Sequence, residues 1–263
     1  MFKLAVSNIG WSTEQDDYVY DVMRRQGYSG LEIAPTRIFP EAPYDKGTDA
    51  GAWSEKLKKD YGFMIPSMQS IWFGRQENIF GSPEEREVLL EYSRKAVDFA
   101  KIIKCRNLVF GCPKNRNMPE GADPETGVRF LREIADYAHE QGIVIGMEAN
   151  PPIYHTNYIN DTPSALALIE EVDSEGFRLN LDVGTMIQNE EHISELTGKT
   201  YLISHVHISE PGLKPIEKRA LHRELKKILE DEGYQGFVSI EMGKVDDIRV
   251  LEDKMQYIRS VFG

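Results

Sequence analysis

The sequence predicts an α/β fold, a (β/α)8 TIM barrel formed as a single domain over residues 1–263. Strand-like and helix-like segments alternate with a spacing of roughly 33 residues, about what eight βα units require. No Pro/Gly/Ser-rich linker or change in composition divides the chain. Four strand-like runs in the second half end in an acid or a histidine, and such residues would converge at the C-terminal mouth of a parallel barrel.

Each predicted strand is a short run rich in apolar and β-branched residues, and helices are predicted in the gaps between them. The strands are predicted at about residues 2–8, 30–35, 64–72, 107–112, 143–149, 177–183, 203–209 and 237–242. Helix starts are marked by Ser82-Pro83 and by Asp161-Thr162-Pro163, which place proline just after an N-cap residue. A glycine with a left-handed backbone is expected where helices return to strands, at Gly27, Gly62, Gly142, Gly176 and Gly233.

Composition excludes several classes of function. The formal net charge of −12 would repel a polyanion, so nucleic acid is not expected as a partner. No run approaches the roughly 18 apolar residues of a membrane span, and the N-terminus lacks a signal-peptide core. The two cysteines, Cys105 and Cys112, have no CxxC spacing, which is typical of a reduced cytoplasmic protein without disulfides.

Four strand ends carry the residues that point to chemistry. These are Glu148 in IVIGMEAN, Asp182 in FRLNLDVG, His207 in ISHVHISEP and Glu241 in FVSIEM. In the runs that end in Glu148, Asp182 and Glu241 the apolar residues of one parity oppose the acid, so the acid should point into the barrel. Any one of them could be satisfied by a neighbouring cation or backbone group, but four together predict one divalent metal site. Three oxygen donors and one nitrogen donor favour Mn²⁺, with Mg²⁺ or Co²⁺ as alternatives.

The strings IGMEANP, LNLDVGT, SHVHISEP and GFVSIEM resemble the xylose-isomerase-like TIM barrels of the sugar phosphate isomerase/epimerase family. The resemblance covers nearly the whole chain, although its specific motifs lie mainly after residue 107. It implies that Glu148 and Glu241 are both metal ligands and the catalytic acid and base, on opposite faces of a small carbohydrate substrate. Asp182 and His207 would be the remaining ligands, and the proton would move through a metal-stabilised cis-enediolate.

The chain departs from that family at the sixth strand. Related epimerases commonly carry Asp-x-x-His there, whereas this sequence reads Asp182-Val183-Gly184-Thr185. Thr185 can hydrogen-bond to substrate but cannot act as a cation or a strong base. The identity of the substrate and the reaction type therefore remain open.

Further substrate contacts are predicted around the mouth, each against a simpler structural role. Lys114 and Arg116 could hold a phosphate or carboxylate or lie in a solvated loop. His222 could face the pocket or be a solvated helix residue. Glu32, which ends the second strand, could bind a sugar hydroxyl, and Glu210, which follows His207 after the seventh strand, is a further candidate for substrate binding. His205, two residues before His207, is expected to support the site rather than to bind metal.

Four functions are considered for this sequence. The leading one is a sugar or sugar-phosphate epimerase/isomerase, and the alternative is a lyase or dehydratase of a keto-polyol or dehydroshikimate-like acid through the same enediolate. An apurinic-site endonuclease would need three zinc ions and more histidines than the strand ends offer. A non-catalytic binding barrel is the fourth. A homodimer or higher homo-oligomer is compatible with the sequence.

Overall fold

Eight parallel strands close into a barrel in the computed structural model, which describes residues 1–263. The strands are β1 (Lys3–Ser7), β2 (Gly30–Glu32), β3 (Ser67–Met68), β4 (Asn107–Phe110), β5 (Val144–Met147), β6 (Phe177–Asp182), β7 (Ile203–Ile208) and β8 (Phe237–Ile240). The helices are α1 (Asp16–Arg25), α2 (Pro35–Ile38), α3 (Gly47–Tyr61), α4 (Pro83–Ile102), α5 (Glu125–Glu140), α6 (Thr162–Val172), α7 (Val183–Gln188), α8 (Ala220–Asp231) and α9 (Ile248–Phe262).

The predicted fold class is confirmed by the strand order, β2-β1-β8-β7-β6-β5-β4-β3. The circle closes between β2 and β3 through isolated bridges from Gly30 to Met64 and from Ile33 to Met68. Strand β3 is much shorter than the predicted run of residues 64–72. Pro66 has no N–H to donate to the sheet, and Ser70 has a left-handed φ of +54°, so the extended conformation ends before residue 71.

Strand alternation puts polar side chains inside the barrel and apolar ones under the helices. In β6, Leu179 and Leu181 pack outward, while Asn180 and Asp182 point inward and are paired in register with His205 and His207 of β7. Each fully buried leucine contributes about 1.5–3 kcal/mol to folding. The outward apolar layer therefore fixes the strand register, and the register fixes which residues meet inside.

The joints from helix to strand follow the prediction at four of five glycines. Gly27, Gly62, Gly142 and Gly233 have φ between +72° and +78°. The prediction was wrong at Gly176, which does not have a positive φ. A Cβ there would lie 2.0 Å from the carbonyl oxygen of Ala135, so glycine is needed because α5 packs directly against this joint.

The two predicted helix starts are confirmed. The Ser82 hydroxyl accepts a hydrogen bond from the Glu85 amide at 3.3 Å and caps α4, and Asp161 accepts from the Ser164 amide at 2.7 Å and caps α6. None of the nine helices combines the length and apolar character needed to cross a membrane.

Candidate metal centre and active site

Three of the four predicted ligands meet at one point at the mouth of the barrel. Nδ1 of His207 lies 3.0 Å from a carboxylate oxygen of Glu148 and 3.1 Å from one of Glu241. The three potential ligand atoms all lie within 4.8 Å of one another. The side chains of Glu148 and Glu241 are only 12% and 10% exposed, and that of His207 is fully buried.

Asp182, the fourth predicted ligand, lines the same cavity but lies outside this tight group. Its Oδ1 accepts a hydrogen bond from the Ser209 hydroxyl, and its Oδ2 accepts from the backbone N–H and the hydroxyl of Thr185, each at 2.8 Å. Burial and the nearby charge of Glu148 raise the pKa of Asp182 above its ordinary value. The structure thus brings the three predicted acids to one cavity, with His207 buried against two of them, and Asp182 is held by hydrogen bonds from Ser209 and Thr185.

The charges around His207 are unbalanced on the cavity side. Glu148, Asp182 and Glu241 form no ion pair with any Lys or Arg, and His207 is the single basic group among them. Burial raises the pKa of Glu241 to about 7, the carboxylates of Glu148 and Asp182 add to the shift, and His207 opposes it. Buried carboxylates in excess are costly unless a cation offsets them. This oxygen-rich donor set with one imidazole fits a divalent ion such as Mn²⁺, Mg²⁺ or Co²⁺.

A second group lies beneath the first, on the other side of the His207 ring. Nε2 of His207 is 2.9 Å from Oε2 of Glu32, and Nε2 of His205 lies 2.8 Å from the same oxygen but outside hydrogen-bond geometry. Burial alone would raise the pKa of Glu32, yet the two histidines hold it well below its usual range. A carboxylate on the far nitrogen of a metal-binding histidine orients the ring and fixes its tautomer.

The position of Glu32 does not fit its predicted role as a ligand of a sugar hydroxyl. Its side chain is fully buried under His207 and does not line the cavity, so it is not placed where a sugar hydroxyl could reach it. The three donor atoms of Glu32, His205 and His207 also lie within 4.8 Å of one another, which makes this lower group a second candidate for a metal ion. The sequence pattern identifies Glu32 as a strand-end acid but does not show how deep in the barrel its side chain lies.

A chain of hydrogen bonds orients Glu148. The Asn180 amide donates to one carboxylate oxygen at 2.8 Å, and the Asn150 amide donates to the other at 3.2 Å. Arg116 donates in turn to the Asn150 oxygen at 2.8 Å. That bond fixes which end of the Asn150 amide faces Glu148. Gly111 leaves the space for this arrangement, since a Cβ there would lie 2.8 Å from Oε2 of Glu148.

Arg116 is also placed differently from the prediction. The whole residue is buried, it forms no ion pair with a carboxylate, and its Nε has no hydrogen-bond partner. Burial lowers the pKa of Arg116 to about 10. It neither lies in a solvated loop nor faces the cavity, because the segment after β4 folds inward and carries the guanidinium beneath Asn150.

The four other predicted substrate contacts do not line the cavity either. The Thr185 hydroxyl lies within hydrogen-bond distance of Asp182 and of the Ala149 carbonyl oxygen. Lys114 is exposed outside the cavity. Glu210 is paired with Arg219 at 2.6 Å. His222 is buried between α8 and α9, with Nδ1 2.9 Å from the Tyr257 hydroxyl, and burial lowers its pKa to about 4.

The cavity itself measures about 170 Å³. Besides the acids, it is lined by residues that no sequence pattern marked, among them Gln69, Asn150, Tyr154 and Leu213. The Tyr154 hydroxyl accepts a hydrogen bond from the Gly212 amide at 2.9 Å, which joins the loops after β5 and β7 above the acids. A larger depression of about 530 Å³ lies against α9 and contains none of the strand-end acids.

Comparison with solved structures places the fold among sugar epimerases and a protein named as an endonuclease. A D-psicose 3-epimerase from Clostridium cellulolyticum H10 aligns with TM-score 0.77 and 17% identity over 99% of each chain. The 3-keto-D-glucoside 4-epimerase from E. coli aligns with TM-score 0.77 and 18% identity, over 99% of this chain and all of that one. An AP endonuclease, family 2, from Brucella melitensis aligns with TM-score 0.74 and 19% identity, over 98% and 99%.

At these identities the likeness concerns the fold alone. Among curated protein sequences, none matches the chain significantly. The family model described as "Xylose isomerase-like TIM barrel", however, matches residues 20–261, nearly the entire chain. With eight parallel strands, three strand-end acids around one cavity and this match over nearly the entire chain, the chain belongs to the xylose isomerase-like TIM barrel family.

Proposed function

We propose that this protein is a divalent-metal-dependent epimerase or isomerase of a ketose or a related sugar. The observation that carries the proposal is the meeting of Glu148 and Glu241 at His207 beside a cavity of about 170 Å³. At roughly 30 Å³ per water, that volume would hold about six waters, which suits one small polar molecule.

The two glutamates are assigned to proton transfer. They come from different strands, β5 and β8, and both line the cavity, so they can reach a bound sugar carbon from different sides. In the metal-free protein burial raises the pKa of Glu241 to about 7, and a bound cation would lower it again, so Glu241 would be ready to accept a proton. Glu148 is oriented by Asn180 and Asn150. If one glutamate removes a proton and the other, already protonated, delivers its own proton to the opposite face of the same carbon, the stereocentre is inverted. Delivery of a proton to the neighbouring carbon instead would isomerise the sugar.

The metal would be held by Glu148, His207, Glu241 and Asp182. When bound, a divalent ion stabilises negative charge that develops on a substrate oxygen during removal of the adjacent proton. Mn²⁺ is our first choice, with Mg²⁺ or Co²⁺ as alternatives. Two of the structural neighbours are named as sugar epimerases, which supports the reaction class. One structural neighbour is named as an endonuclease. An endonuclease activity is less well supported for this chain, because its net charge of −12 opposes binding of DNA.

Solvent exchange tests the proposal. Metal-loaded protein incubated with a panel of ketoses in D₂O should place deuterium on the carbon next to the carbonyl, as followed by NMR. Glu148→Gln and Glu241→Gln should each reduce exchange about 10³-fold, since each removes one proton-transfer group. Glu120→Gln, at an exposed glutamate outside the cavity, serves as the matched control and should exchange like wild type.

Two outcomes would redirect the assignment. Absence of exchange with every ketose at saturating Mn²⁺ would contradict it. Loss of water in the product mass spectrum, without epimer, would identify the lyase instead.

A further inference from the structure

A larger groove adjoins the cavity on the side of the barrel mouth nearest β1 and β2. It measures about 600 Å³ and is lined by residues that follow β1, β2, β3 and β8. Ser70 lines both spaces, so they are neighbours at this residue. We propose that the groove binds a glycosyl group attached to the sugar that reacts in the cavity, an inference that rests on the proposed function.

The groove offers an aromatic surface in a polar rim. Phe73 is 68% exposed at its edge, where the Phe73 amide donates to the Ser70 carbonyl at 3.0 Å in a turn that begins with a left-handed φ of +54°. This turn directs an apolar ring outward at the mouth of the site. The hydroxyl-bearing residues Ser12, Thr13 and Thr36 also line the groove. Aromatic surface combined with hydroxyl groups suits a sugar ring, which has apolar C–H faces and a polar edge.

The charges of the groove favour a neutral group over a phosphate. Arg37 stacks 5.4 Å from the Trp11 ring and already pairs with Asp16 at 2.5 Å. Glu14 adds a negative charge to the lining, and Lys244 is the one basic residue there without an ion pair. A phosphate would meet a single free cation beside a carboxylate, whereas a glycosyl group needs no net charge.

The volumes of the two spaces suit two parts of one substrate, the reacting sugar in the cavity and its substituent in the groove. A cavity with room for about six waters encloses the reacting sugar but little more. The adjoining groove is more than three times as large, about 600 Å³ against about 170 Å³. A substituent on the end of the reacting sugar remote from the glutamates would therefore leave through the boundary at Ser70 and lie along Phe73.

Glucosyl ketoses test this inference. We would compare kcat/KM for solvent exchange with free fructose, with fructose carrying glucose on O5 or O6, and with fructose 6-phosphate. One glucosyl ketose should exceed free fructose by at least tenfold. Phe73→Ala should lower that preference about three- to tenfold, the loss of one aromatic contact, and leave exchange with free fructose unchanged. Tyr201→Ala removes another exposed aromatic ring, which precedes β7 at the other end of the barrel, and should have no effect.

Binding to metal-free protein separates this inference from the proposed function. Calorimetry should show weaker binding of at least one glucosyl ketose to Phe73→Ala than to wild type, whether or not turnover is detected, and equal binding of both glucosyl ketoses to the two proteins would overturn the groove assignment. Exchange with fructose but equal kcat/KM for all glucosyl ketoses would overturn the groove assignment and leave the proposed function standing. Preference for fructose 6-phosphate that is lost in Lys244→Ala would also overturn it.

Discussion

The two sides of the His207 ring are built from the same residue types but differ in electrostatic balance. On the cavity side, Nδ1 faces Glu148 and Glu241, with Asp182 nearby, and the carboxylates outnumber the basic groups. Below, Nε2 faces a single carboxylate, that of Glu32, which lies against both His207 and His205. An acid at a strand end can therefore either contribute to a candidate cation site or orient a histidine of that site from below.

Removing the lower carboxylate should have the largest effect on stability. Glu32→Gln breaks a fully buried charge pair and should lower the free energy of unfolding of metal-free protein by about 3 kcal/mol. Because it also releases the His207 ring, Mn²⁺ affinity should fall about 10- to 100-fold. Urea unfolding and metal titration would measure the two effects.

The upper carboxylate should behave in the opposite way. The pKa of Glu241 in the folded protein, about 7, lies above the ordinary value of 4.5, so wild-type stability decreases as pH rises through 7. Metal-free Glu241→Gln should therefore be more stable than wild type at pH 8, and the difference should close toward pH 4.5. If Glu32→Gln and Glu241→Gln changed stability in the same direction at pH 8, the contrast between the two sides would be wrong.

Arg116 should matter for activity more than for stability. Arg116→Met removes the donor that fixes Asn150, and we expect kcat to fall about tenfold because Glu148 loses its orientation. Stability should change little, since the guanidinium is buried without a carboxylate partner. Lys114→Met, two residues away and exposed, is the control for steady-state kinetics and urea unfolding. Normal kcat in Arg116→Met would rule out its positioning role.

Gly111 offers a smaller perturbation of the upper side alone. In Gly111→Ala the new Cβ would press on Oε2 of Glu148, so Mn²⁺ affinity should fall several-fold with the lower group intact. Gly10→Ala, whose nearest contact would be an ordinary 3.6 Å, is the control. Unchanged metal affinity in Gly111→Ala would place the ion away from Glu148.

His222 should have the smallest effect on catalysis. His222→Asn should leave kcat/KM within about twofold, because the residue faces Tyr257 and not the cavity. Its pKa is about 4 in the folded protein against 6.5 ordinarily, so the unfolded chain binds the extra proton and wild-type stability is lost as pH falls from 6.5 to 4. Urea unfolding should show that His222→Asn loses less free energy of unfolding than wild type between pH 6.5 and 4. An equal loss in the two proteins would contradict the buried, neutral state of His222.

The barrel and the inward direction of its strand-end acids could be predicted because both follow from local periodicity. Alternation in β6 and β7 determines that Asp182 and His207 point inward, and a parallel barrel brings inward residues of neighbouring strands together. Glu32 was found by the same pattern, but alternation gives the side of a strand and not the level within the barrel. Its place under His207 depends on how β2 is staggered against β7 across the closed sheet.

The roles of loop residues could not be predicted in the same way. Arg116 and Lys114 are two residues apart in one loop, yet one is fully buried and the other exposed. No period governs such a segment, and its path is set by contacts such as that of Arg116 with Asn150 across 34 positions of sequence. His222 was expected at the mouth but is buried against α9, because α8 turns that side of its first turn toward Tyr257.

The most direct test of the account is the position of the ion. Anomalous diffraction at the manganese edge from Mn²⁺-soaked crystals should show one peak bonded to Nδ1 of His207, with Glu148, Glu241 and Asp182 around it. A peak at Nε2, among Glu32, His205 and His207, or no peak at saturating Mn²⁺, would contradict the account.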